Sequence, residues 1–405
     1  MMNIQKINAF LNLGSTKDRI GEMIIQKGLI YFKYDADFIV KGIEISPFKM
    51  KLTSKIIIPK ELHLDGLFGV FSDSIPDGWG KLLLDRKLQT LGISLSNVSW
   101  LDRLSYLDEN SMGAISYEPE NEIQTTNIKV DLDLIIDEVE AVLKGNSQDV
   151  IDELFQLGGS SGGARPKILV GYNTLTDEII SGKSILPAGF EHWIIKFPAT
   201  NDYFDSGLIE FTYNEMARNC GIEINDFKLF KTSKGKFLFG SKRFDRIKND
   251  KLHLHSVAGL LHDNFRLSTI DYGHIMDCAF KLENDFNAYE KIFRLAVFNV
   301  LAHNRDDHSK NFSFLMDKNS NWKFSPAYDL TFSQSSYGFH STSVAGESKN
   351  PTVKNLNILA SDFGLKNNNK IIDEVKNSIS HFKNLANNYQ ISKDSTDLIS
   401  RTLQL

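Results

Sequence analysis

Two cysteines in 405 residues, Cys220 and Cys278, are too few for a disulfide framework, and neither stands in a CxxC pair or at a zinc-binding spacing. The expectation is two buried thiols in a reducing compartment. Long apolar stretches are also missing. No run reaches the roughly eighteen residues of a membrane span, and the opening MMNIQKINAFLNLGSTKDR has no apolar core followed by a small-residue cleavage site. The expected location is therefore the cytoplasm, with no membrane partner. Basic charge is in short supply: 46 Lys and Arg against 51 Asp and Glu leave a net charge of -5, which does not favour a broad footprint on nucleic-acid phosphates. No internal repeat of about 20 to 50 residues occurs, so solenoids and propellers are excluded. Finally, the glycine-rich stretch GGSSGGARPK has no GK[ST] ending, so it is not a Walker A loop.

What remains is an ordinary globular composition, 41% hydrophobic and 24% charged, on a chain long enough for two or three packed cores. Residues 21 to 52 alternate short aromatic and aliphatic runs, Ile30 to Tyr34 and Phe38-Ile39-Val40, with Gly and Asp, and read as a small β-rich module. The turn-rich segment Phe71 to Gly80 then feeds a helix over Lys81 to Leu88. Polar residues 121 to 127 after Pro119 mark a soft boundary before a helix over Leu132 to Leu143. Strand-like runs return at Ile168 to Val170 and Trp193 to Ile195, and helical periodicity dominates from about Leu254. The Asn/Lys-rich piece Lys366 to Lys370 reads as a solvated turn.

Chemistry concentrates in LAHNRDDHSKNF, residues 301 to 312. It follows Ile292 to Val300, a helix apolar on nearly all sides and so a buried support for a reactive loop. Phosphoryl transfer needs one carboxylate beside the acceptor hydroxyl and further oxygen ligands on magnesium, and the kinase catalytic loop supplies an Asp and an Asn five positions apart. Asp306 and Asn311 have that spacing. A hairpin formed by Phe312 to Leu315 and Trp322 to Phe324 then leads to Asp329, placed for the second metal ligand. Magnesium keeps several waters, so Asn311, Asp329 and nucleotide phosphates suffice. Each of these residues alone could merely cap a turn; their order and setting argue for chemistry. A rival reading takes His303, Asp306, Asp307 and His308 as metal ligands of a hydrolase, but histidine ligands are expected to converge from one helix face, and these two lie five apart in a loop.

The phosphate end falls earlier, at GGSSGGARPK, residues 158 to 167, where glycines let backbone N–H groups approach phosphate closely. A flexible linker is the alternative. In Trp193 to Pro198 a single lysine, Lys196, interrupts an apolar run and calls for an anionic partner; Glu210, opening the helical run to Cys220, is the natural one. Lys242 to Arg246 sits where two lobes would join, with backbone placed to read an adenine edge, although Arg243 and Arg246 could equally be surface charges.

These motifs, in this order, resemble the HipA kinase family over essentially the whole chain. Gly21-Glu22, Phe32 to Asp35, Pro76 to Gly80 with Asp85-Arg86, and Gly113-Ala114 look like its N-terminal module; GGSSGGARPK, the Lys196 strand, Arg243 to Arg246, NRDDHSKNF and PAYDL look like its kinase core. The resemblance implies an α+β, two-lobed protein-kinase-like fold: residues 1–118 as a β-rich N-terminal module, 119–245 as the N-lobe with its phosphate loop, and 246–405 as a mostly helical C-lobe. It implies ATP and Mg2+ as cofactors, Asp306 as catalytic base, Asn311 and Asp329 on the metal, and Ser161, Gly162, Gly163, Lys167, Lys196, Glu210, Lys242, Phe244, His308 and Lys310 about the nucleotide. Ser160 falls at the family's self-phosphorylated serine, whose modification ejects the loop and silences the kinase, and Ser161 beside it is the other acceptor. Arg165-Pro166 departs from family loops that carry Gln-Glu.

The resemblance also implies a HipB-like helix-turn-helix antitoxin that carries the DNA contact, and protein substrates that are aminoacyl-tRNA synthetases in the best-studied members. No residue here identifies the substrate. Two rivals remain from the sequence: a silent kinase fold that completes an antitoxin–operator repressor complex, and a kinase acting on a small molecule.

Overall fold

The computed structural model describes residues 4–61, 63–107, 110–120, 129–145, 151–158, 162–182, 185–200, 202–335 and 338–405. Ser160 and Ser161 lie outside them.

The first module is an antiparallel sheet in the order β3-β2-β1-β4, with β1 at Lys6–Leu13, β2 at Thr16–Gln26, β3 at Leu29–Tyr34 and β4 at Ile115–Glu118. Along β1, Ile7, Ala9, Leu11 and Leu13 alternate into the core, as the two-residue strand period requires. Phe38-Ile39-Val40, expected as a strand, is helical instead. Asp35 caps the helix Ala36–Lys41 by accepting from the Asp37 N–H, and Gly42 ends it in the left-handed region at φ 69. Those two flanking residues decide what a short apolar run leaves ambiguous.

Helix Gly78–Thr90 starts three residues before its sequence expectation. It presents Trp79, Leu83, Leu84 and Leu88 to a different core, that of the next sheet. That sheet is antiparallel in the order β6-β5-β7-β9-β8, from β5 (Lys167–Tyr172), β6 (Ile179–Ser181), β7 (Glu191–Lys196), β8 (Phe227–Lys231) and β9 (Phe237–Lys242). Every residue of the inner strand β5 is buried, and helix Leu132–Leu143, formed where expected and capped by Asp131, packs into the same core through Ile135, Ile136, Val139 and Val142.

The third and largest core gathers helices Tyr272–Glu283, Asn287–Leu301, Val353–Asp362, Asn368–Ser380 and Phe382–Asn388. Helix Ser206–Asn219 joins them through Leu208, Ile209, Tyr213 and Met216. The piece 366 to 370 is only partly a turn, since Asn368 to Lys370 open the helix that buries Ile371, Ile372 and Val375. Beside this lobe run two small antiparallel pairings: β10 (Arg246–Ile247) with β11 (Asp250–Lys251), and the sheet of β12 (His253–Ser256), β13 (Ser313–Met316) and β14 (Trp322–Phe324). The β13–β14 pair is the hairpin read from the sequence.

Arg243 and Arg246 are not surface charges. Both guanidiniums are buried against Asp245, which is fully enclosed and accepts from Arg243 at 2.9 and 2.8 Å and from Arg246 at 2.6 Å. The same arginines donate to the carbonyls of Asn110, Ser111 and Gly113, and the Gly113 N–H returns a bond to Asp245 at 2.7 Å. The expected hinge thus also fastens the first module to the rest of the chain. Cys220 and Cys278 are buried free thiols, and burial pushes them up to about 11 and about 12.

Candidate functional site

At the end of the five-stranded sheet, Lys167 on β5 stands directly opposite Lys196 on β7 in the antiparallel register. Like charges in that position repel, and both side chains are withdrawn from solvent. The strands tolerate the pair because carboxylates converge on it. Lys196 is ion-paired at once to Glu210 and to Asp329. Burial opposes its charge, yet Asp329 and Glu210 outweigh burial and raise its pKa. Lys167 goes the other way: burial lowers it, and the neighbouring Lys196 adds to the effect. Arg165 adds a third cation, 3.2 Å from Asp202 and 3.9 Å from Glu210.

Glu210 is presented by the buried face of helix Ser206–Asn219. That helix starts one turn earlier than expected, so Glu210 sits inside it. Asp329 has left-handed backbone, φ 54, a conformation Asp accepts more readily than most residues and one that concentrates at functional sites. Burial pushes its carboxyl up, but Lys196, Lys167 and Arg165 hold it well below the usual carboxylate range. Its segment is pinned on both sides: Ala327 donates to the Glu223 carbonyl at 2.8 Å, and the Tyr328 hydroxyl donates to the Lys310 carbonyl at 2.6 Å.

The loop after helix Asn287–Leu301 is held by a buried polar network. Asp307 accepts from the Tyr272 hydroxyl at 2.8 Å and the Ser341 N–H at 2.8 Å, with His340 Nδ1 at 3.0 Å. Asn304 donates to Asn299 at 2.9 Å, and Asn299 in turn donates to Tyr272. Asp307 is therefore an anchor, committed to these partners, and the hydrolase reading loses one of its four ligands. Among the described residues no three His, Cys, Asp or Glu side chains cluster as a metal site.

Asp306, next to this anchor, faces solvent. Protein packed about it raises its carboxyl pKa, as do Asp329 and Asp307, against the opposing pull of His308 and Arg165. The Asp306 carbonyl accepts from Asn311 Nδ2 at 2.7 Å, which leaves the amide oxygen of Asn311 as the atom to offer a cation. The His308 ring lies tilted against Phe265, with ring centroids 5.5 Å apart, and its buried Nδ1 has no protein partner among the described residues.

Other expected residues divide. Phe244 packs on Tyr328, the residue before Asp329, at 5.1 Å between ring centroids, so the segment expected as a hinge touches the one expected to hold the metal. Lys242 points elsewhere, paired to Glu191 at 2.5 Å. Gly162 is exposed; Gly163, at φ 92, holds a left-handed backbone that favours glycine, and its Cα lies against the flexible end of Lys167. Lys310 is held by Asp77 at 3.0 Å and lies 4.7 Å from the Phe265 ring centre. Asp77 was not a sequence candidate. Its turn was visible, but its partners are far along the chain.

The donor set suits a nucleotide with magnesium. Two oxygen donors of the kind Asn311 and Asp329 offer are what magnesium takes when phosphates supply the rest, and the paired Lys167 and Lys196, with Gly163 beside Lys167, make the surroundings cationic, as a polyphosphate requires.

Comparison with known proteins bears on this arrangement. Residues 11–118 match the HipA N-terminal domain, and residues 159–382 match the HipA-like C-terminal domain. The fold is similar to that of HipA from the Shewanella oneidensis MR-1 toxin–antitoxin system, solved with HipB and operator DNA: TM-score 0.68, 18% identity, 97% of this chain and 95% of that one covered. A Haemophilus influenzae protein named as a candidate kinase is 30% identical over 138 residues, a match spanning 32% of this chain and 38% of that protein's length. No helix among the described residues is long and apolar enough to cross a membrane. With an α+β kinase-like fold and a C-terminal domain match covering more than half of its length, the chain belongs to the HipA family.

Proposed function

We propose that this protein is an ATP-dependent serine/threonine protein kinase and the toxin of a HipA/HipB-like pair. The observation that carries the reading is Lys196, bound simultaneously to Glu210 of a helix and to Asp329 of the metal segment. That arrangement joins the phosphate-binding lysine, its helix partner and the metal aspartate of the kinase plan. Bound Mg-ATP supplies the transferable phosphoryl group and the cation that offsets its charge. Asn311 and Asp329 would hold the metal, and Lys196, Lys167 and the backbone of Gly162 would lie toward the phosphates. Asp306 orients the acceptor hydroxyl and takes its proton. Catalysis on this plan is positioning and charge stabilisation. Ser160 or Ser161 is the self-acceptor. The external acceptor is a protein, of the aminoacyl-tRNA synthetase class by resemblance to the family. A helix-turn-helix antitoxin is the expected partner, with DNA reached mainly through it, in the cytoplasm.

The test is peptide mass spectrometry of purified protein incubated with ATP, with and without Mg2+. Phosphate on Ser160 or Ser161 that appears only with Mg2+ is the expected result. Failure to bind Mg-ATP, together with no phosphate anywhere, would discard the kinase reading in favour of a silent repressor subunit.

A pH dependence follows from Asp306. Its folded pKa is raised, so the proton-accepting form is lost as pH falls through a value above the ordinary ~3.9 of a carboxylate. The pH profile of kcat/KM for Mg-ATP, which reports the free enzyme, should therefore show an acid limb above the usual carboxylate range. A rate that stays flat down to the ordinary value would contradict the assignment.

A further inference from the structure

One carboxylate of the N-terminal module reaches into the nucleotide site. Asp77 Oδ1 accepts the backbone N–H of Gly163 in the phosphate loop, and Oδ2 lies 3.0 Å from Lys310 Nζ in the catalytic loop. The contact is seated by backbone. The Trp79 N–H donates to the Gly163 carbonyl at 3.1 Å, and Gly78, at φ 44, lies so close to Ala164 that any side chain there would collide with it. Helix Gly78–Thr90 behind this turn is locked into the core of the five-stranded sheet by Trp79, Leu83, Leu84 and Leu88, so Asp77 is held on a rigid element rather than a free loop. Little of either side chain reaches solvent, 18% for Asp77 and 19% for Lys310, and a pair so shielded is screened less than one on the open surface.

We infer that Asp77 is a positioning residue: it ties the exit of the phosphate loop to Lys310 of the catalytic loop, and so makes the N-terminal module a working part of nucleotide binding. The inference rests on the nucleotide-site reading for its consequence, though not for the contact. Without the tie, the Gly163 N–H loses its acceptor and Lys310 loses its counter-charge. Two segments that must converge on one ligand then sample more conformations, and binding bears the cost of ordering them. An opposite role is conceivable for an anion so placed, in which Asp77 occupies donors that phosphate would use and must be displaced. The seating on Gly78 and Trp79 favours the tie, because those contacts fix the turn against the loop whether or not the carboxylate is engaged.

Two substitutions in the full chain separate the parts. Asp77→Asn keeps an oxygen for the Gly163 N–H and removes the charge facing Lys310; Asp77→Ala removes both. Asp85→Asn serves as a control, since it breaks the Lys81 and Arg103 ion pairs of the same helix without touching the loop. Hydrogen–deuterium exchange in the absence of nucleotide should rise over residues 301–316 in both Asp77 variants, and over residues 157–169 chiefly in Asp77→Ala. With Mg-ATP, KM for ATP should rise in Asp77→Asn by roughly three- to tenfold, the scale of one partly buried ion pair, with kcat changing less. Asp85→Asn should change neither. Unaltered exchange in both segments overturns the inference, and a lowered KM in Asp77→Asn overturns it in favour of the displaceable anion. If Asp77→Ala does not fold, Asp77→Asn still decides. Wild-type protein that binds no Mg-ATP would defeat the kinase reading, while the exchange result would still judge the tie.

Discussion

Asp306→Asn should reduce phosphoryl transfer by about 10²–10⁴-fold, the usual range for a lost general base, while affinity for Mg-ATP stays near that of the wild type. The separation of the two effects follows from which atoms of residue 306 do what. Its side chain faces solvent, where an acceptor hydroxyl must approach, and it takes no part in the ion pairs among Lys196, Glu210 and Asp329. Its backbone carbonyl, which survives the substitution, is what holds Asn311 at 2.7 Å. The anchor beneath the loop belongs to Asp307 and is equally untouched. Phosphate incorporation followed by mass spectrometry, paired with calorimetric titration of Mg-ATP, measures both quantities. Transfer at the wild-type rate would remove Asp306 from the mechanism. Loss of affinity in proportion to loss of rate would make it a binding group instead.

How much of this was legible beforehand depends on how local the determinants are. The helix before the catalytic loop was readable because its apolar residues surround it, and Asn287–Leu301 buries Ile292, Phe293 and Leu295 to Val300 accordingly. The β13–β14 hairpin was readable from two strand-like runs about a polar turn. Lys196 and Glu210 could be paired because a lysine in an apolar strand needs an anion, and the next helix offers one. The strand Lys6–Leu13 carries its own signal, an apolar residue at every second position. What could not be read depends on long-range approach. Asp77 meets Gly163 and Lys310 across 86 and 233 residues, and no periodicity encodes such a meeting. Asp306 and Asp307 are chemically identical neighbours, and only the positions of Tyr272, His340 and Ser341 make one an anchor and leave the other facing solvent. Whether Arg243 and Arg246 are hinge residues or surface charges stays open in the sequence for the same reason: their partner carbonyls lie more than 130 residues earlier, at 110 to 113.

The largest effect on stability is expected at that cluster. Asp245→Ala should destabilise the fold by about 3–5 kcal/mol, because it removes one side of a buried ion-pair cluster, the carboxylate that both buried guanidiniums share. The carbonyls of Asn110, Ser111 and Gly113 still accept from the arginines, but carbonyl dipoles do not neutralise two full charges. Asp245→Asn should cost less, since it preserves an acceptor for part of the network. The pH dependence has a definite sign. Burial pushes the Asp245 carboxyl up, yet Arg243 and Arg246 hold it well below the usual range. A group whose folded pKa is depressed stabilises fully above its unfolded value of ~3.9, and that contribution is lost as pH falls through the folded value. The stability gap between wild type and Asp245→Asn should therefore be level through neutral pH and begin to narrow only below about pH 4. Urea unfolding across pH measures it, and a chain with three cores calls for probes in more than one of them. Equal midpoints for wild type and Asp245→Ala would mean that the arginines find other anions when Asp245 is gone. A loss confined to the first module, with the helical lobe unmoved, would instead show that the cluster's chief work is to keep that module seated. Asp77 is held by the core of the five-stranded sheet and not by that module's own core, so affinity for Mg-ATP in Asp245→Ala should then stay near that of the wild type.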